Sequence, residues 1–259
     1  MMKNIKILLF SILSFTGIQI FYTDVFPPLE LLPTLETGDI ILRTSVSLDS
    51  MVLSRVSLGP YSHIGLVYRD SNHELFVLES FPDIGLRKYK IYNFLAPRQD
   101  RIFRIKILQF KEKNRDLLKK SVEAMVQYSH HIHFDMKFIY DKSIPSIEDL
   151  KRNEYNYYCV EMVNMAFQMA YGPNFLNWPN DYDKISLHLT EQIGFYKQNA
   201  NVYFEDAKFR MVSFLNSFFN LKNKVVLSPN GILNSPYFIT LYEDEDLSIV
   251  PQNLKVFLT

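Results

Sequence analysis

Over residues 37–108 the chain reads as one strand after another, and no amphipathic helix intervenes until Asn114. That succession constrains the fold more than any other feature. "TGDIILRT" (37–44) is an apolar run opened by a Gly-Asp turn, and "YSHIGLVYR" (61–69) and "ELFVLES" (74–80) form a hairpin across the polar turn "DSNH". "IGLRKYKIYNF" (84–94) and "DRIFRIKIL" (100–108) supply two more runs, the second alternating apolar and basic residues like a half-exposed strand. Residues 47–60 fit a short helix or loop. The period then changes. In "NRDLLKKSVEAMVQYSHH" (114–131), Leu117, Leu118, Val122, Met125 and Val126 fall on one helical face. After a polar, loop-like stretch (133–156) comes a second helix with an apolar stripe of Met162, Val163, Ala166, Phe167 and Ala170, ended by Gly172-Pro173. One or two short strands close the chain within 222–244. Strands first and helices afterwards indicate an α+β fold, an antiparallel sheet packed against helices, and not alternating βαβ units.

At 259 residues the chain can bury a sizeable core, and 15% aromatic content suits a densely packed one. Twenty-eight basic and 28 acidic residues cancel, which removes the electrostatic case for a nucleic-acid partner. Lys3 and Lys6 precede an apolar run at 7–22, the pattern of an export signal or signal-anchor helix. This implies a membrane attachment through residues 1–30, the last of them an irregular tether, with the body (31–259) facing outside the cytoplasm or exported.

Cys159 is the only cysteine, so no intramolecular disulfide is available. It lies near the start of the second helix, with Asn153 or Asn156 as the expected N-cap, where backbone N–H groups and the positive end of the dipole favour a thiolate. Position alone favours a packing role, since free cysteine is among the most buried residue types. A nucleophile needs a base. His63 interrupts an apolar strand, and Glu79 ends the strand expected to pair with it, close enough to orient the imidazole. The alternative is a hydrogen-bonded core histidine and a solvent-facing carboxylate; the residues alone leave both open. Asp39 either lends a polar group to a site or shapes the turn before its strand, the second being favoured. His131, His133 and Asp135 invite a metal reading, but a helix end favours histidine anyway and no second ligand cluster accompanies them, so no metal or other cofactor is expected.

In order along the chain, "GDIIL", "SHIGLV", "VLES" and "YYCVEMV" resemble the permuted papain-like amidases of the NlpC/P60 superfamily, in particular the YiiX/YebB-like group. "FDMKFIYD" and "VVLSPNGILNSPYFITLYED" resemble two further elements of that group. The likeness covers 37–172 and 222–243; 173–221 is unmatched elaboration. It implies a circularly permuted papain-like core with Cys159 as nucleophile, His63 as general base and Glu79 as the acid that orients it. Asp39, Tyr158 and Asp135 are substrate-side candidates, and Glu161 is assigned mainly to helix structure. The chain departs from the group at Val160, where serine is usual, at Ser80, where alanine is usual, and at Phe134, where tyrosine is usual. The implied activity is amide hydrolysis on a cell-wall peptide or a lipid-like amide. The alternatives are an acyl hydrolase or acyltransferase like the lecithin:retinol acyltransferase relatives, and an inactive membrane-anchored binding protein.

Overall fold

The computed structural model describes residues 25–47, 50–51, 53–54, 59–82, 84–96, 101–135, 144–176, 178 and 227–250. The expected export helix lies outside the described residues. Among those described, no helix is long and apolar enough to cross a membrane.

Eight strands are described: β1 (Ile40–Ser45), β2 (His63–Arg69), β3 (Leu75–Phe81), β4 (Gly85–Lys90), β5 (Ile102–Phe110), β6 (Ile132–His133), β7 (Tyr155–Asn156) and β8 (Phe238–Glu245). Six of them form a curved antiparallel sheet in the order β4-β3-β2-β1-β5-β8, and β6 and β7 make a small parallel pair. Four α-helices are described: α1 (Ile91–Leu95), α2 (Asp116–Gln127), α3 (Ile147–Leu150) and α4 (Cys159–Tyr171). The α+β expectation holds.

Strand alternation divides the core in two, because successive side chains leave a strand on opposite faces. Ile40, Leu42, Ile64, Leu66 and Leu78 face α2 and α4, with Leu118, Val122 and Met125 from α2 and Met162, Val163 and Phe167 from α4. Ile41, Val67, Val77, Ile105 and Ile107 face the other way, onto Ile91, Phe94 and Leu95 of α1. The first core ends in an aromatic cluster, where Phe110 meets Phe167 edge-on at 5.1 Å between ring centroids and Phe238 at 5.5 Å.

Several expectations change. Val25, within the segment read as a tether, is buried in the second core together with Leu32 and Leu35 at the start of the body, around a 3-10 turn at Leu32–Thr34. Apolar side chains at 25–35 close the face of the sheet that α1 is too short to cover. The run 84–94 is not one strand, since β4 stops at Lys90 and α1 begins at Ile91. Leu117 is exposed, and Ser121 and Ala124 complete the buried face of α2. The first helical residue of α4 is Cys159 and its N-cap is Tyr158, two to five residues beyond the expected caps. Gly172 ends α4 at φ +99°, a conformation that suits glycine at a helix C-terminus. At the opposite end of β1, Gly38 has φ +100°, and a Cβ there would stand 2.5 Å from Leu118 of α2. The turn therefore needs glycine both for its backbone angle and for its contact with the helix.

Candidate active site

The β2–β3 ladder runs from Leu66↔Leu78 to Arg69↔Leu75 and does not continue back to His63. On its other side β2 remains paired through Arg43↔His63. The sheet is thus split between the first residues of β2 and the last of β3. Val67 donates its N–H to Asp39 on β1, so alternation turns the N–H of Ile64 toward β3, into the split.

α4 reaches the sheet at this split. Tyr157, two residues before Cys159, is held where its carbonyl accepts the Ser80 hydroxyl of β3 at 2.5 Å. The Tyr158 N–H donates to the Glu161 carboxylate at 3.2 Å, which satisfies a donor at the helix start and gives buried Glu161 its structural role. Cys159 is half-buried, and its sulfur meets the backbone N–H groups of Ile64, Val160 and Cys159 itself. The Ile64 N–H belongs to the peptide bond joining His63 to Ile64, so the thiol lies against the residue that carries the imidazole. Burial pushes the thiol pKa up to about 12; the Ile64 and Val160 amides pull it down, and the charge of Glu79 pushes it further up. At neutral pH the group is a thiol.

His63 shares the parity of Gly65 and Val67 and stands on the α1 side of the sheet. Its ring stacks on Phe94 with centroids 5.8 Å apart. Its Nε2 is 2.5 Å from Oε2 of Glu79. The Glu79 side chain is only 1% exposed and is held from its other oxygen by Arg87, with Nε and Nη2 both at 2.7 Å from Oε1. Arg43 lies 3.6 Å from Oε2, spread over the Phe94 ring at 4.0 Å and donating to the Phe94 carbonyl. Burial pushes the Glu79 carboxyl up. The hydrogen bond and charge of His63, with the charges of Arg43 and Arg87, more than offset this and hold it at about 2. For His63, burial lowers the pKa and the Glu79 carboxylate raises it, while the two arginines lower it further; the net direction is down. An ionised carboxylate can only accept, so Nε2 carries the imidazole proton and Nδ1 keeps its lone pair.

The structure joins His63 to Glu79, and among the described residues no hydrogen bond links the Cys159 thiol to the imidazole. Asp39 is fully buried at the far end of β1, where it accepts the N–H groups of Glu36 and Phe110 and pairs with Arg115 at 2.8 Å. It shapes the turn, as the favoured reading had it. Tyr158 adjoins the thiol, but its hydroxyl is engaged with Leu227. Asp135 is buried near enough to Tyr158 for its charge to be felt there. Among the described residues no group of three metal-ligating side chains is assembled. A cleft of about 760 Å³ opens at the Asp39 end, away from the thiol. Arg69 and Arg115 on its wall spend donors on the carbonyls of Pro33, Leu35, His73, Thr37 and Glu112, a network that serves the fold.

Sequence reasoning missed Arg43, Arg87 and Phe94. The available signal was a charge inside the apolar strand "IILRT" and another in β4 directly opposite Glu79 in register.

A family model described as "permuted papain-like amidase enzyme, YaeF/YiiX, C92 family" matches residues 34–180, more than half of the chain. Among solved structures, the crystal structure of the metalloprotein YiiX from Escherichia coli O157:H7 is similar at 17% identity and a TM-score of 0.47, covering 82% of this chain and 98% of that one. No curated protein matches the chain.

Proposed function

The chain belongs to the permuted papain-like amidases of the C92 family, and from that premise we propose that it cleaves amide bonds through Cys159, with His63 as general base and Glu79 orienting it. The observation that carries the reading is the 2.5 Å His63–Glu79 contact on the residue whose following peptide N–H meets the sulfur.

The chemistry follows from the charges. A thiol with a pKa near 12 is a poor nucleophile at rest, so its proton must leave as the carbon–sulfur bond forms. Nδ1 of His63 takes that proton. The imidazolium so formed is stabilised through Nε2–H by ionised Glu79. The sulfur attacks the amide carbonyl carbon, and the electron pair moves to the oxygen, where the Cys159 N–H at the start of α4 donates to it. Nδ1–H then protonates the leaving nitrogen as the carbon–nitrogen bond breaks, leaving a thioester on Cys159. His63 removes a proton from water, the hydroxide adds to the thioester, and the acid departs as the thiol is restored. Arg43 and Arg87 keep Glu79 ionised through the cycle, so the proton stays on the imidazole and does not move on to the carboxylate.

The basic-then-apolar start, Lys3 and Lys6 ahead of residues 7–22, supports a location at the outer face of a membrane. A wall peptide or a lipid-like amide would suit that location. The test is hydrolysis of a panel of wall-peptide fragments and N-acyl amines, with Cys159→Ser and His63→Ala as controls. The reading expects turnover of at least one class by the wild-type chain and loss in both variants. Undiminished turnover by Cys159→Ser overturns it.

A further inference from the structure

A short segment far along the chain grips both halves of the proposed site. Residues 227–232 contain a 3-10 turn at Pro229–Ile232, with Leu227, Ser228 and Ile232 buried. Toward the thiol, the Tyr158 hydroxyl accepts the Leu227 N–H at 2.7 Å and donates to the Leu227 carbonyl at 3.1 Å. Tyr158 is the N-cap of α4 and the residue before Cys159. Toward the base, Asn230 Oδ1 accepts the Tyr61 N–H at 3.1 Å and its Nδ2 donates to the Tyr61 carbonyl at 3.0 Å. The side-chain amide thus does for Tyr61 what the peptide of a neighbouring strand does, two residues ahead of His63.

The seat for Asn230 is built. A Cβ on Gly59 would lie 2.4–2.8 Å from three of its side-chain atoms, so the missing side chain of Gly59 is the space Asn230 fills. Ser228 Oγ accepts the Asn230 N–H at 3.1 Å and its Nδ2 at 3.3 Å, fixing which way the amide faces. Trp178 Nε1 donates to the Ser228 carbonyl at 2.8 Å, tying the segment to the chain beyond α4. The approach to β2 is fixed from its other side, where the Pro60 carbonyl accepts Thr44 Oγ1 at 2.6 Å and Arg104 Nη1 at 3.0 Å.

We propose that residues 227–230 are a clip that sets the register between the start of α4 and the start of β2, with Asn230 the positioning residue for His63 and Tyr158 the positioning residue for Cys159. This rests on the Cys159–His63 reading above. The two arrive on separate elements, and β2 and β3 are unpaired where they approach each other. A pair of reacting groups held only by the ends of two elements needs a third piece to fix their spacing, because a displacement of about 1 Å costs on the order of 100-fold in rate. In this assignment Asn230 and Tyr158 take no part in the bond changes; they act through the backbone they hold.

The experiment is a double-mutant cycle on the full chain, reading the rate of Cys159 alkylation by iodoacetamide at pH 7. Asn230→Asp keeps the shape and the acceptor for Tyr61 N–H but removes the donor to the Tyr61 carbonyl. In the wild-type background, His63→Ala slows alkylation; in the Asn230→Asp background the same substitution slows it at least about tenfold less, by the proximity argument above. Tyr158→Phe gives the same loss of His63 dependence from the other end. A residue with a merely structural role lowers the melting temperature and leaves the His63 dependence intact. Unchanged His63 dependence in folded Asn230→Asp or folded Tyr158→Phe overturns the clip, as does failure of both variants to fold. If wild type and His63→Ala are alkylated equally, the proposed triad itself is refuted, a result distinct from either.

Discussion

Glu79→Gln isolates what the buried carboxylate does. The substitution keeps the shape and removes one negative charge 2.5 Å from Nε2 of His63, leaving Arg43 and Arg87 uncompensated beside the ring. A unit-charge pair about 4 Å apart is worth about 4 kcal/mol at an effective dielectric constant near 20. Screening by the two arginines takes part of that, so about 3–4 kcal/mol is the expected loss for the imidazolium. Converted at about 1.4 kcal/mol per decade, proton transfer from Cys159 to His63 falls about 10²–10³-fold. The assay is iodoacetamide alkylation of Cys159 across pH 4–9, followed by mass spectrometry. In the wild-type chain the rate depends on neutral His63 and is lost as pH falls through the His63 pKa, which lies below its ordinary value of 6.5. Glu79 raises that pKa, so Glu79→Gln moves the acid limb to still lower pH while depressing the plateau. A variant with the wild-type plateau and the wild-type limb refutes the electrostatic account.

Two further outcomes follow from the same geometry. The Glu79 carboxyl falls from 4.5 to about 2 on folding, so its contribution is complete above pH 4.5 and is lost as pH drops toward 2. The whole contribution amounts to about 3 kcal/mol, of which about 2 kcal/mol is gone by pH 3; urea unfolding at pH 6 and pH 3 should show that loss in the wild-type chain and not in Glu79→Gln. Gly65→Ala would place a Cβ 2.4 Å from Val77 and 2.8 Å from the Phe94 ring that stacks on His63. Overpacking of this kind costs about 1–3 kcal/mol, visible as a lower melting temperature together with slower alkylation of Cys159.

The strand succession and the change of period at Asn114 were legible because a half-buried sheet and an amphipathic helix each leave a periodic trace. The break at Ile91 was not, since "KIYNF" suits a strand as well as a one-turn helix and only packing under the sheet decides. The packing of 25–35 was hidden for a related reason: an irregular backbone leaves no periodic trace that Val25, Leu32 and Leu35 fill the second core. The start of α4 was placed too early because Asn153 and Asn156 look like caps, whereas β7 keeps residues 155–156 extended and delivers Cys159 to the first helical position. His63 and Glu79 could be paired from hairpin spacing. The arginines that hold Glu79 could not, because the neighbour on the far side of β3 is a matter of register. Asn230 was out of reach for the same reason, lying 169 residues from the backbone it holds.

The central claim is that Cys159 carries the acyl group and His63 makes it able to do so. Intact-mass and peptide-mapping spectrometry of the chain, acid-quenched during turnover of an amide substrate identified in the panel, tests this directly. The account predicts an acyl adduct on the peptide bearing Cys159, formed by the wild-type chain and absent from His63→Ala. Turnover without any adduct on Cys159, or an adduct formed equally fast without His63, contradicts it.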